Sequence, residues 1–197
     1  MTTCDILLAG VGGQGVLSMA ALIGRAAIAE GLHAKQSEVH GMAQRGGAVQ
    51  AHLRLSDGAI ASDLIPSGGA DLILSLEPVE SLRYLAYLKP SGTLVTSSSP
   101  YVNIPDYPDL ATLLERVRSL PHALVVDAER LATEAGDPLA VNTVMVGAAA
   151  HLLPVGLASL ERAVEDTFAR KGEFVLGLNR KAFRAGREAA ATAGAAR

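Results

Sequence analysis

The sequence predicts an α/β fold: a Rossmann-like, doubly wound, mostly parallel sheet with an inserted β-hairpin and a helical C-terminal region. Three observations point there. Apolar runs of strand length alternate with stretches of helical length as far as residue 135. A glycine-rich turn, Gly10-Val-Gly-Gly-Gln-Gly15, joins the first apolar run to the first helical stretch. From Val141 onward the hydrophobic spacing is helical.

The first strand is the apolar run Ile6–Ala9. The helix Val16–Glu30 is apolar on nearly every side through Leu17, Met19, Ala20, Leu22, Ile23, Ala26 and Ile28, so the sheet and a second layer should both cover it. Lys35–Gly47 reads as a polar loop. In Ala48–Leu55, Val49, Ala51, Leu53 and Leu55 alternate with Gln50, His52 and Arg54, the period of a half-buried strand. Ser56-Asp57-Gly58 has turn chemistry, and Ala59–Ala61 is expected to return as the second arm of the inserted hairpin. Asp71–Leu76 reads as a buried strand, Pro78–Leu88 as a helix, Lys89–Gly92 as a turn and Thr93–Ser98 as a strand. Leu110–Ser119 is a short helix, Ala123–Asp127 a strand, and Ala128–Ala135 a helix closed by Gly136.

Beyond that point Asn142–Leu153 is too apolar for a free surface and must be buried or face another subunit. Ala158–Arg170 gathers Leu160, Val164 and Phe168 on one face, and Gly172 breaks the chain before Glu173–Ala190. Arg180, Lys181, Arg184 and Arg187 on that last helix read as a solvated basic face. Residues 1–190 are expected to form a single domain, with 191–197 a frayed tail.

Composition excludes several classes of function. The net charge is −3 and the basic residues are scattered until the last helix, so no broad footprint for nucleic acid exists. A single cysteine, Cys4, can build neither a disulfide framework nor a thiolate-held iron–sulfur cluster. No run reaches the roughly 18 apolar residues of a membrane span and no signal-peptide pattern opens the chain, which predicts a cytoplasmic protein without a membrane partner. The histidines His33, His40, His52, His122 and His151 lack metal-site spacings, and no G-x-S-x-G elbow occurs. His33 and His122 are expected near strand starts at the surface, His151 at a helix end. No residue of this chain is assigned a catalytic role.

Two motifs remain. In the glycine turn, Gly10 and Gly12 are expected to adopt backbone angles closed to other residues, Gly15 to allow close helix–strand packing, and the helix-start N–H groups to favour a phosphate or carboxylate. The second motif, Ser37-Glu-Val-His-Gly-Met-Ala-Gln-Arg-Gly-Gly47, combines two amides, a carboxylate, an imidazole, a guanidinium and three glycines without a core-facing pattern. Arg45 there can pair bidentately with a carboxylate or phosphate. A loop after the second strand should lie beside the glycine turn, at the carboxyl edge of the sheet, making two halves of one site. A nicotinamide dinucleotide would also require an acid about 20 positions beyond the turn, at the tip of the second strand, where Glu38 is the sole candidate. A stand-alone NAD(P)-binding oxidoreductase and a purely structural subunit both stay open on these residues.

These motifs, with Leu64-Ile-Pro66 and Ala70-Asp-Leu-Ile-Leu-Ser-Leu-Glu-Pro78, resemble the gamma-type domain of 2-oxoacid:ferredoxin oxidoreductases from about residue 4 to 188. The likeness is strongest to the branch that handles aryl 2-oxoacids such as indolepyruvate. It implies a complex that converts a 2-oxoacid and coenzyme A to an acyl-CoA and carbon dioxide and passes electrons to ferredoxin. It implies a hetero-oligomer in which a large partner subunit carries thiamine diphosphate and the [4Fe–4S] clusters. The chain lacks a GDG-type thiamine-diphosphate signature and should be inactive alone. Under that resemblance Gly10, Gly12, Gly13, Gln14, Gly15 and Arg45 become the candidates for binding a coenzyme A phosphate or the substrate carboxylate. Ser37, Glu38, His40, Gln44, Gly46 and Gly47 become the loop facing the large subunit. Related domains serve pyruvate, branched-chain and 2-oxoglutarate enzymes, with substrate selection largely in the partner.

Overall fold

The computed structural model of the protein describes residues 3–41, 46–102 and 104–195. Among these residues six strands form one sheet in the order β2-β3-β1-β4-β5-β6: β1 Thr3–Val11, β2 His33–His40, β3 Ala48–Ser56, β4 Ala70–Ser75, β5 Leu88–Ser97 and β6 Ala123–Val126. β1, β4, β5 and β6 pair in parallel, whereas β3 runs antiparallel to both β1 and β2. The helices are α1 Val16–Ala29, α2 Pro78–Arg83, α3 Leu110–Arg118, α4 Ala128–Ala135, α5 Val141–Ala149, α6 Leu157–Phe168 and α7 Glu173–Ala195.

Period-two alternation divides the sheet into unequal faces. Ile6, Leu8, Leu53, Leu55, Leu72, Leu74 and Val95 look toward the larger core, which α1, α4, α5, α6 and α7 complete. Leu7, Ile73, Leu94 and Ala123 look the other way, toward a smaller core closed by Ile65, Val117, Leu82, Tyr84 and Tyr87. The half-buried character expected of Ala48–Leu55 is resolved on these two faces. Its apolar set enters the larger core, while His52 on the opposite face is 2% exposed, accepts from the Ile65 N–H through Nδ1 and meets the Tyr87 ring edge-on. Burial lowers the His52 pKa, keeping the imidazole neutral where it accepts that bond.

The inserted hairpin exists but is built from other segments than the sequence pattern predicts. Residues 33–40 form β2, so Ser37, Glu38 and His40 belong to a strand rather than a loop, and the hairpin is β2–β3. β2 is the sheet edge, with Lys35, Gln36, Glu38 and Val39 exposed and Ala34 packed against the larger core, so the strand carries too little apolar alternation to read. Ala59–Ala61 forms no strand; Arg54 holds that connection instead, donating to Ser62 O and Leu64 O while pairing bidentately with Asp5 at 2.7 and 3.0 Å. The helix expected over Pro78–Leu88 ends at Arg83 and is followed by a 3₁₀ turn at Leu85–Tyr87. Lys89–Gly92 is not a turn but the first half of β5, with a register shift against β4 between Ala70 and Leu72, and Lys89 reaches Asp71 at 2.5 Å.

The helical C-terminal region packs as the apolar sequence demands. α5 is buried over Thr143–Ala149 and crosses α7 at two glycines, where a Cβ on Gly147 would stand 2.1 Å from Phe183 O and one on Gly186 2.0 Å from Val144 O. Thr143 Oγ1 donates to Asn179 Oδ1 at 2.8 Å within the same contact. The expected basic face is partly paired: Arg180 bridges to Glu165 and Glu173, and Arg187 to Glu161. α7 continues to Ala195, past the expected end at Ala190. His33 opens β2 and His122 precedes β6, both exposed, and His151 lies in the 3₁₀ turn after α5.

Candidate functional site

β1 ends in the glycine turn, and the chain leaves it as α1, so the first-turn amides of α1 stand at the carboxyl edge of the sheet. Gly15 is the N-cap residue with φ +94°, and no side chain caps the helix. The first helical amides are thus left to whatever occupies the adjacent space. Gly13 has φ +106° and faces open space, with nothing within 4 Å of where a Cβ would be. The left-handed positions are therefore Gly13 and Gly15, not the expected Gly10 and Gly12. Gly10 serves close packing instead: its Cβ would stand 2.9 Å from Val16 Cγ2 and 3.3 Å from Leu76 Cβ. At Gly15 the neighbour is Asn142, the polar residue opening α5, whose Nδ2 would lie 3.0 Å from a Cβ.

Gln14 spends its side chain inside the turn. Its Oε1 accepts from the Val11 N–H at 2.7 Å, and its Nε2 approaches Leu76 O at 3.5 Å, tying the end of β1 to the end of β4. These are internal bonds of the kind that fix a tight turn, and they make Gln14 a staple of the cradle.

The second motif meets the first through the backbone. Gly12 N–H donates to Gly47 O at 2.8 Å and Gly12 O accepts from Gly46 N–H at 3.1 Å, a reciprocal pair that joins the chain entering β3 to the glycine turn. The expectation that the two stretches meet at the carboxyl edge is met at Gly46 and Gly47. Gln44 and Arg45 lie outside the described residues, as does the side chain of His40. A cavity of about 430 Å³ opens over the turn, lined by Gly12, Gly13, Gly15, Leu17, Glu38 and Val49.

The strand order bears on the dinucleotide alternative. A nicotinamide-binding turn needs its acid on the strand next to β1, about 4.8 Å away. Here antiparallel β3 occupies that place and Glu38 lies on β2, a further strand out.

Across Gly46–Gly47 lies a group that spacing alone did not single out. Glu77 is 1% exposed; its carboxylate accepts from Glu80 N–H at 2.8 Å, from Tyr101 N–H at 3.4 Å and from the Tyr107 hydroxyl. Burial, then the bond to Glu77, pushes the Tyr107 phenol well above its usual range. Burial likewise raises the Glu80 carboxyl, opposed by the Arg83 guanidinium 3.0 Å away. Glu77, Glu80, Arg83 and Tyr107 line a cavity of about 220 Å³ with Gly46 and Gly47. A third cavity, about 200 Å³, lies on the other flank of the turn between Gly13, Gln14, Ser97, Tyr101 and Leu139. The signal for Glu77 was its place in Leu76-Glu-Pro78, an acid immediately before a helix-initiating proline.

The sequence matches the family described as Pyruvate ferredoxin/flavodoxin oxidoreductase over residues 5–189. It is 38% identical over 192 residues to the indolepyruvate oxidoreductase subunit IorB of Archaeoglobus fulgidus, with 92% of each chain covered. It is 34% identical over 191 residues to the 2-oxoglutarate synthase subunit KorC of Methanothermobacter marburgensis, covering 93% of this chain and 95% of that one. Among solved structures, the gamma subunit of the keto/oxoacid ferredoxin oxidoreductase from Geobacter sulfurreducens superposes with a TM-score of 0.71 at 28% identity, over 96% of this chain and 99% of that one. Among the described residues no helix is long and apolar enough to cross a membrane.

Proposed function

The chain belongs to the pyruvate ferredoxin/flavodoxin oxidoreductase family, and from that premise we propose that it is the small subunit of a 2-oxoacid:ferredoxin oxidoreductase acting on indolepyruvate and related aryl 2-oxoacids. In the overall reaction the 2-oxoacid loses carbon dioxide, its acyl group passes to the thiol of coenzyme A, and two electrons leave for ferredoxin. A large partner subunit carries the thiamine diphosphate and the [4Fe–4S] clusters. This chain does not fit a cluster: its one cysteine, Cys4, is buried within β1, and burial pushes its thiol up to about 12.

The small subunit contributes shape and backbone polarity. The observation that carries the reading is the reciprocal Gly12–Gly46/Gly47 bonding, which holds both family motifs around one cavity at an uncapped helix start. Helix-start amides suit an anion, so the turn serves a coenzyme A phosphate or the substrate carboxylate, with Arg45 as the cationic partner. Nothing here splits a bond; the subunit binds and orients, and the chemistry takes place against the larger chain.

The test is affinity purification of the chain from its native host, followed by assay of the eluate for coenzyme-A-dependent oxidation of indolepyruvate with ferredoxin as acceptor. A co-purifying large, cysteine-rich, thiamine-diphosphate protein with that activity is expected. A chain recovered alone that quenches NADH fluorescence on titration overturns the reading in favour of a dehydrogenase. Within an active complex, Arg45→Ala should raise the KM for coenzyme A or the 2-oxoacid and leave assembly intact, and unchanged kinetics would remove the ligand role.

A further inference from the structure

Exposed large apolar side chains gather at the same edge of the sheet as the glycine turn. Tyr101, Val102, Ile104 and Leu139 are 42%, 69%, 41% and 85% exposed. Tyr101 and Leu139 wall the cavity on one flank of the turn, and Ile104 walls the cavity on the other. Leu17, at the start of α1, is also exposed and lines the cavity over the turn.

Three of these residues lie on the connection from β5 to α3, whose described residues are anchored at Tyr101, Tyr107 and Asp109. The buried Glu77 carboxylate holds its backbone at Tyr101 and its side chain at Tyr107, and Asp109 ends it by capping α3 at Thr112 N–H. Pro100, Pro105 and Pro108 further restrict its backbone. Apolar side chains are thus held in water by a preorganised strap, an arrangement that costs solvation in the free chain and lowers the ordering cost of an interface. Carboxylates flank the patch: Asp106 follows Ile104 on the strap, and the exposed Glu129 lines the cavity of Tyr101 and Leu139.

We infer that this rim, Tyr101, Val102, Ile104 and Leu139 with Asp106 and Glu129, is the surface on which the large subunit docks. The inference rests on the subunit reading above and adds where the two chains meet. A two-fold pairing of this chain with itself would set the same acidic rim against its own copy, so the occupant is a different surface, apolar at its centre and lined by Lys or Arg. Docking there would also roof the two cavities beside the turn.

The test uses the large subunit recovered with the wild-type chain. Val102→Asp and Leu139→Asp, which change exposed side chains and should leave the Tm unaltered, are expected to weaken the Kd of the two chains tenfold or more. Asp106→Lys is expected to slow association and flatten its salt dependence. Ile28→Asp, at the far end of α1 and 62% exposed, is expected to bind as wild type. Rim variants that keep wild-type affinity overturn the inference while leaving the subunit reading in place. So do rim variants that only shift the chain from dimer to monomer, and an Ile28→Asp loss as large as theirs. A wild-type chain that captures no large subunit overturns both.

Discussion

The α5–α7 crossing and the β1–α1 turn are both built on glycine, for opposite reasons. At the crossing a Cβ on Gly147 or Gly186 would run into helix backbone at 2.1 or 2.0 Å, and backbone cannot step aside as a flexible side chain can. At the turn a Cβ on Gly13 would meet nothing, and glycine is needed because φ is +106°. One region uses the missing side chain to bring two protein segments together. The other leaves space beside exposed backbone, where something other than this chain can approach. Gly10 shows that motif membership does not decide the role, since its Cβ would stand 2.9 Å from Val16 Cγ2 and 3.3 Å from Leu76 Cβ, closer than ordinary van der Waals contact.

The contrast breaks first at the crossing. Gly186→Ala should cost about 3 kcal/mol, the upper range for overpacking, and lower the Tm of the purified chain by roughly 6–12 °C. A fall of a degree or less would mean that the two helices part easily and that the crossing is not the rigid region. Next comes Gln14→Ala, which removes the acceptor for Val11 N–H and leaves a donor at the strand end unpaired. A loss of about 1–2 kcal/mol in the free chain is expected by urea denaturation. If the free chain keeps its stability and only ligand-dependent kinetics suffer, Gln14 contacts ligand and is not the staple of the turn.

The elements that frame this contrast are legible in the sequence, though the roles of their glycines are not. The glycine turn lies between strand and helix as its context requires, and α4 spans Ala128–Ala135 with Gly136 closing it at φ +103°. The apolar α5 announces burial directly, because nine residues with so few polar groups have no face to give to water. What stayed hidden was whatever depends on partners distant in sequence. β2 is an edge strand, and its Lys35, Gln36 and Glu38 look like loop residues because Ala34 is its one apolar side chain packed on the core. β5 starts at Leu88 because Ala70 pairs with it, across a stretch whose Pro90 and Gly92 read locally as a turn. Glu77 joins Tyr107 across thirty positions, and no local pattern records such a contact. The glycine motif likewise names the residues of the turn without showing that Gly13 is the open one and Gly10 the packed one.

Gly13→Ala sharpens the contrast with the smallest structural change. Alanine at φ +106° is strained by roughly 1–2 kcal/mol, and the added methyl group has no neighbour to displace, so the Tm should fall by only a few degrees. Gly13 itself lines the space that the turn, Glu38 and Val49 surround, at the start of α1. In the assembled oxidoreductase the KM for coenzyme A or for the 2-oxoacid is therefore expected to rise about tenfold, equivalent to about 1.4 kcal/mol of lost binding. Stability and kinetics then move in opposite proportion to Gly186→Ala, which should cost more in Tm and, in whatever fraction remains folded, leave KM alone. If Gly13→Ala instead lowers the Tm and leaves both Michaelis constants unchanged, the open space beside the turn holds no ligand, and both sets of glycines serve the fold alone.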